Sequence, residues 1–168
     1  EVCAVLVDHG ADQEERDQEG NTPLLLATKE GHSNTVSLLL EKGAKTNVTD
    51  QQGVTPLLVA TKTGNIGLVE QLLKHGAILE HHSQDGDTLL HIASKLGFNE
   101  LCTILIGHGA DLEERDQEGN TPLLLATKEG HSNTVSVLFE KGAKICAFDK
   151  QGISPLLIAT KAGHVGLM

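Results

Sequence analysis

The 168-residue chain predicts an all-α fold, a solenoid of stacked helical repeats, on three observations. First, the segments GNTPLLLAT, GVTPLLVAT, GDTLLHIAS, GNTPLLLAT and GISPLLIAT begin at Gly20, Gly53, Gly86, Gly119 and Gly152, each 33 residues after the last without insertion or deletion. A fixed period of this length marks an array of like units, each too small to bury a core alone. Second, fifteen of the 18 glycines fall in three columns of that register, headed by Gly10, Gly20 and Gly31, and all 4 prolines (Pro23, Pro56, Pro122, Pro155) form a further one. Third, the apolar residues between the glycines follow helical spacing, as at Val36, Leu39 and Leu40, the i, i+3, i+4 pattern of one buried face.

Residues 1–16 read as a partial repeat that begins inside a second helix. Complete repeats follow at 17–49, 50–82, 83–115 and 116–148, and 149–168 is partial again. Within each unit, Thr or Ser followed by Pro reads as an N-cap with proline at the first helical position, where its missing N–H is no loss. The apolar run that follows is helix one, and the glycine about eight residues on takes the left-handed conformation that ends it. Helix two is expected from Asn34 to Lys42 and its equivalents, closed by the Gly43 column. A polar stretch such as GAKTNVTDQQG, with turn formers at its tip, joins one pair to the next.

These units, with G-x-T-P-L-L-x-A-T, G-H and L-L-L-E-K-G-A in order at period 33, resemble the ankyrin repeat over essentially the whole chain. The resemblance implies antiparallel helix pairs stacked side by side, with β-turn fingers projecting at nearly a right angle. It also implies a concave groove lined by the inner helices, a surface that commonly contacts partners. The register predicts a piece of a longer array. Terminal repeats carry a polar outer face, whereas here Val2, Leu6 and Val7 would be bared at one end and Leu156 to Ile158 at the other, so end-to-end self-stacking is expected.

A longer period lies on top of the first. Residues 11–45 and 110–144 differ only at Gln13/Leu112, Leu38/Val137 and Leu40/Phe139, an offset of three repeats. At roughly 10 Å per repeat, the packing distance of helices, matching surfaces recur about 30 Å apart.

Composition narrows the partners. The net charge of −10 opposes a polyphosphate ligand, and with Phe98, Phe139 and Phe148 as the only aromatics there are few platforms for base stacking, so nucleic acid is not expected. The apolar runs fall far below the ~20 residues of a membrane span. Three cysteines without close pairing make neither a disulfide framework nor a Cys-x-x-Cys metal site, and a reducing, cytoplasmic setting fits best. No targeting segment opens the chain, although a start at Glu1 leaves that question open.

Structural roles account for most of the chemistry-bearing residues. His9, His75 and His108 precede the glycine that ends helix two, where partial positive charge suits the helix dipole. His32, His131 and His164 follow the glycine after helix one, and His91 stands where the family has a histidine bonded to neighbouring backbone. His81-His82 on a finger lacks the cysteines or carboxylates of a zinc site. Cys3 and Cys102 share the column of Val36 and read as buried apolar residues. Cys146 reads as an exposed thiol or an inert finger residue.

Two charge patterns stand out. Lys29, Lys62, Lys95, Lys128 and Lys161 form an unbroken column at the end of helix one, each preceded by a hydroxyl residue (Thr28, Thr61, Ser94, Thr127, Thr160). The resemblance places them in the groove, as a surface for an acidic or extended peptide, against the alternative of solvated helix-end lysines pairing with nearby glutamates. Opposite them, residues 12–19 and 111–118 each hold five acids and one arginine. Glu14, Glu15, Asp17 and Glu19, with their copies Glu113, Glu114, Asp116 and Glu118, would form finger tips that read basic partners or simply solvate the surface. Asn47 matches the finger position at which ankyrin proteins resemble substrates of an asparaginyl hydroxylase. As part of Asn-Val-Thr, it would be a glycosylation acceptor only in a secreted chain. Thr22-Pro23 and its copies look like proline-directed phosphosites, but helix capping explains them better.

No nucleotide loop or nucleophile–base pair is present, and the strict register leaves no insert to hold one. The expected function is a non-catalytic protein-interaction scaffold without cofactor, its protein partners unnamed. A structural or elastic spacer, such as a channel stalk or membrane-skeleton adaptor, and a host-directed effector or toxin array are the alternatives.

Overall fold

The computed structural model describes residues 2–80, 83 and 86–164. Expectations that fall on Glu1, on His81 and His82, and on residues 165–168 lie outside the described residues. The chain divides into two compact units, Glu1–Ile78 and Leu79–Met168. The first holds α1 (Val2–Asp8), α2 (Pro23–Lys29), α3 (Ser33–Glu41), α4 (Pro56–Lys62) and α5 (Ile66–Lys74). The second holds α6 (Leu89–Lys95), α7 (Asn99–Gly107), α8 (Pro122–Lys128), α9 (Ser132–Glu140) and α10 (Pro155–Ala162). There is no strand among the described residues.

Local chemistry sets the helix ends. The hydroxyls of Thr22, Thr55, Thr88, Thr121 and Ser154 each accept the backbone N–H three residues on, at 3.1–3.4 Å. This satisfies one of the donors that a helix start leaves unpaired. Four of these helices have proline next; α6 has Leu89 instead and adds a reciprocal cap, in which the Thr88 N–H donates to Nδ1 of His91. At the far end of α2, the Gly31 N–H donates to the Thr28 carbonyl and the His32 N–H to that of Ala27, the paired bonds of a Schellman motif. All fifteen column glycines have positive φ. Gly97 shows a second constraint besides its φ of +75°: a Cβ there would lie 2.7 Å from Nδ1 of His131 in the next repeat. Helix two runs from Ser33 rather than Asn34 and ends at Glu41, with Lys42 as its cap.

In the first unit α2 packs on α3 and α4, and α5 on α3 and α4. In the second, α8 packs on α6, α9 and α10, and α7 on α6 and α9. The cores are leucine-rich and built from neighbouring pairs: Leu24, Leu25, Leu57, Leu68 and Leu72 in one unit, Leu89, Leu90, Leu101, Leu105, Leu123, Leu124 and Leu138 in the other, all fully buried. Each such side chain contributes about 1.5–3 kcal/mol of burial free energy. The end faces are bare as expected: Val2 is 73% exposed, Leu6 56%, Leu156 76% and Leu157 57%. Burial was expected for Cys3 as for Cys102, but Cys3 is exposed. Its column is buried where a first helix and a neighbouring pair close over it, and α1 has neither on that side.

Candidate functional site

A seven-residue first helix has room for two faces. In α2, Leu24, Leu25, Ala27 and Thr28 are buried, while Leu26 and Lys29, one turn apart on the same side, remain exposed. The repeat places Lys62, Lys95, Lys128 and Lys161 equivalently, and all five lysines are exposed. The first unit carries Lys29 and Lys62, the second Lys95, Lys128 and Lys161. Four of the five hydroxyl residues beside them are not part of that surface. Thr28, Thr61 and Thr127 are buried and donate to the carbonyls of Leu24, Leu57 and Leu123, while Ser94 meets Sγ of Cys102 at 3.6 Å. Only Thr160, at the bare end, is exposed, and its hydroxyl bonds back to Leu156.

The lysines differ in their commitments. Lys29 donates to Oδ1 of Asn21 at 2.7 Å and to Oδ2 of Asp50 at 2.9 Å. Burial pushes the Asp50 carboxyl up, but hydrogen bonds from the Val54 N–H, Lys29 and the Gln52 N–H outweigh it and hold the group below its ordinary value. Lys128, in an almost identical sequence, is only 3.8 Å from Oε2 of Glu118. Among the described residues no carboxylate lies within ion-pair distance of Lys62, Lys95 or Lys161.

The finger acids divide in the same way. Oδ1 of Asp17 accepts the N–H groups of Glu19 and Asn21, and Oδ2 accepts the Asn21 amide. The Asn21 side chain, then its backbone N–H, holds that carboxyl below its usual range. Asp116 repeats the arrangement with Glu118 and Asn120. These two aspartates build turns. Glu14 accepts the Lys45 N–H at 2.9 Å and Glu113 the Lys144 N–H at 2.8 Å, each tying one finger to the next. Glu19 and Glu118 accept from Asn21 and Asn120 at 3.2 and 3.3 Å and are otherwise exposed. Glu15 is exposed, and Glu114 is half-buried. Asn47 holds the Glu14 position: its amide donates to the Gly76 carbonyl and its oxygen accepts the Ile78 N–H.

Sequence reasoning missed these ties. It also missed the arginines, each of which grips two carbonyls, Arg16 those of Gly20 and Thr49, Arg115 those of Gly119 and Phe148. The signal was a lone cation recurring amid five acids at the same column.

Five histidines have structural places. His9 and His75 bond through Nδ1 to the carbonyls of Val5 and Gln71 at their helix ends. Nε2 of His131 and His164 meets the carbonyls of Lys95 and Lys128, linking neighbouring repeats. His91 is fully buried, with Nδ1 on the Thr88 hydroxyl and Nε2–H directed at the Asn120 carbonyl. Burial pushes the Cys102 thiol up to about 11, while Cys146 is exposed. Among the described residues no group of three or more His, Cys, Asp or Glu side chains is placed to hold a metal ion. No described helix is long and apolar enough to cross a membrane.

A family model described as ankyrin repeats (3 copies) matches residues 1–50, 44–116, 68–149 and 90–168, together the whole chain. Among curated proteins, none matches.

Proposed function

The chain belongs to the ankyrin repeat family, whose repeats are generally protein–protein interaction modules, and we propose on that premise that it is a non-catalytic, cytoplasmic scaffold. It binds partner proteins through the exposed face of the first helices, with the finger acids as a second, oppositely charged contact. The observation that carries this reading is the set of exposed first-helix lysines, of which Lys62, Lys95 and Lys161 face no described carboxylate within ion-pair distance. On a chain of net charge −10, exposed cations with no described carboxylate beside them favour an acidic segment of another protein. Opposite signs on fingers and helices orient that segment more than they tighten it.

Binding to a peptide array by the intact chain, and by a variant with Lys62, Lys95, Lys128 and Lys161 changed to Ala, tests the reading. The variant is expected to lose acidic peptides, and the binding of the intact chain to weaken as salt is raised. Equal binding by both proteins rejects the helix face and leaves only the fingers. Glu15, Glu19 and Glu118 are the finger acids to change next, because Asp17, Asp116, Glu14 and Glu113 hold the turns and ties. The exposed Val2, Leu6, Leu156 and Leu157 support end-to-end self-association, which sedimentation at rising concentration detects.

A further inference from the structure

Resting on the interaction reading above, we propose that the second unit contains a specific seat for an extended peptide segment in which an acidic residue neighbours an apolar one. A hollow of about 850 Å³ lies between the fingers and the first helices of this unit. Its helix side carries Lys128 and Lys161, its apolar lining includes Ile153 and Ile158, and its finger side carries Glu118, Asp149 and Lys150, whose ammonium donates to the Gln117 carbonyl. The volume lies in the range of sites that enclose a small ligand or a few residues of chain.

Charge and commitment select the occupant. Lys161 has no described carboxylate within 4 Å and no described hydrogen bond, and Lys128 has only Glu118 at 3.8 Å, itself 76% exposed. Two ammonium groups from successive repeats therefore face one hollow, Lys128 loosely paired with Glu118 and Lys161 with no described carboxylate in reach. The first unit shows the contrasting state of the same sequence: Lys29, the copy of Lys128, is closed onto Asn21 and the buried carboxylate of Asp50. The isoleucines are half-buried rather than sealed, so an apolar side chain seated on them gains burial while an adjacent carboxylate reaches a lysine. On the finger wall Glu118 and Asp149 outnumber Lys150, whose ammonium is held by the Gln117 carbonyl, so the segment lies with its acidic edge toward α8 and α10.

The probe is a short blocked peptide alternating glutamate and leucine, compared with its lysine–leucine counterpart, by fluorescence anisotropy against the full chain. The acidic peptide is expected to bind, and Lys161→Glu or Lys128→Glu to weaken it about tenfold, the effect of roughly 1.4 kcal/mol. Lys161→Arg is expected to retain binding, and Lys141→Glu, an equal charge change on exposed surface outside the hollow, to change it less than twofold. Both lysines are exposed, and far-UV circular dichroism verifies that the variants fold. No binding of the acidic peptide, or equal weakening by Lys141→Glu, overturns the proposal. Preferential binding of the lysine–leucine peptide also overturns it, yet leaves the interaction reading standing with the finger acids as its site.

Discussion

Replacing Gly97 by alanine should destabilise the second unit more in the intact chain than in a chain that already lacks the His131 ring. The left-handed φ of +75° at Gly97 costs any L-residue about 1–2 kcal/mol. The new Cβ would also lie 2.7 Å from Nδ1 and 2.9 Å from Cγ of His131. The ring must then move and surrender its 3.0 Å bond to the Lys95 carbonyl, worth about 1 kcal/mol. Gly97→Ala alone is therefore expected to cost roughly 2–3 kcal/mol, and the same change in a His131→Ala background only the conformational 1–2 kcal/mol. The coupling of about 1 kcal/mol is the worth of one histidine contact between neighbouring repeats. Urea unfolding followed by far-UV circular dichroism suits a chain without Trp or Tyr. The denaturant slope must be compared as well, because a repeat array can melt in parts. Equal losses in the two backgrounds would refute the reasoning, since the histidine would then contribute nothing that glycine protects.

Asp50, held below its ordinary value of 3.8, should lend stability that is present above that value and is lost as pH falls through its lower native one; Asp50→Asn should flatten an acid titration of the first unit, and an unchanged curve counts against the clamp. Thr61→Val should leave peptide binding unchanged and stability within about 1 kcal/mol, because it removes one buried hydroxyl bond inside α4; a loss of binding would return the hydroxyls to the surface. A maleimide should label Cys3 and Cys146 in the folded chain and spare buried Cys102, whose thiol is pushed up to about 11; mass spectrometry that finds Cys102 modified without denaturant would contradict its burial.

The element boundaries were legible because they rest on contacts a few residues long. Thr22 caps α2 through a bond to Leu25, and Gly31 turns the chain through bonds to residues just before it, so the spacing of Thr-Pro and Gly carries the information. The one-residue offset at Ser33 is of this kind too, for no side chain of His32 caps α3 and the helix start there has no strong local marker. Cys3 was misread for a different reason: column identity stands for burial only where a first helix and a neighbouring pair close over it, and neither is described over Cys3.

The candidate site was legible as positions and not as states. Lys29 and Lys128 sit in segments that match at all but three of 35 residues, yet one ammonium is closed onto Asp50 and the other stands open over a hollow. Glu14 and Glu15 are adjacent acids, yet Glu14 holds the Lys45 N–H of the next finger while Glu15 is exposed.

The sequence alone determined the period, the helix pairs, the glycine turns and the family, because each follows from interactions within one repeat, copied along the chain. Tertiary structure decided which charges are available. A hydrogen bond from the Lys45 N–H to Glu14 or from Lys29 to Asp50 joins residues 31 or 21 apart, and it forms only when stacking brings two repeats into register. Closely held cations and loosely held ones therefore look alike in the sequence, and only the packing of one repeat on the next separates them.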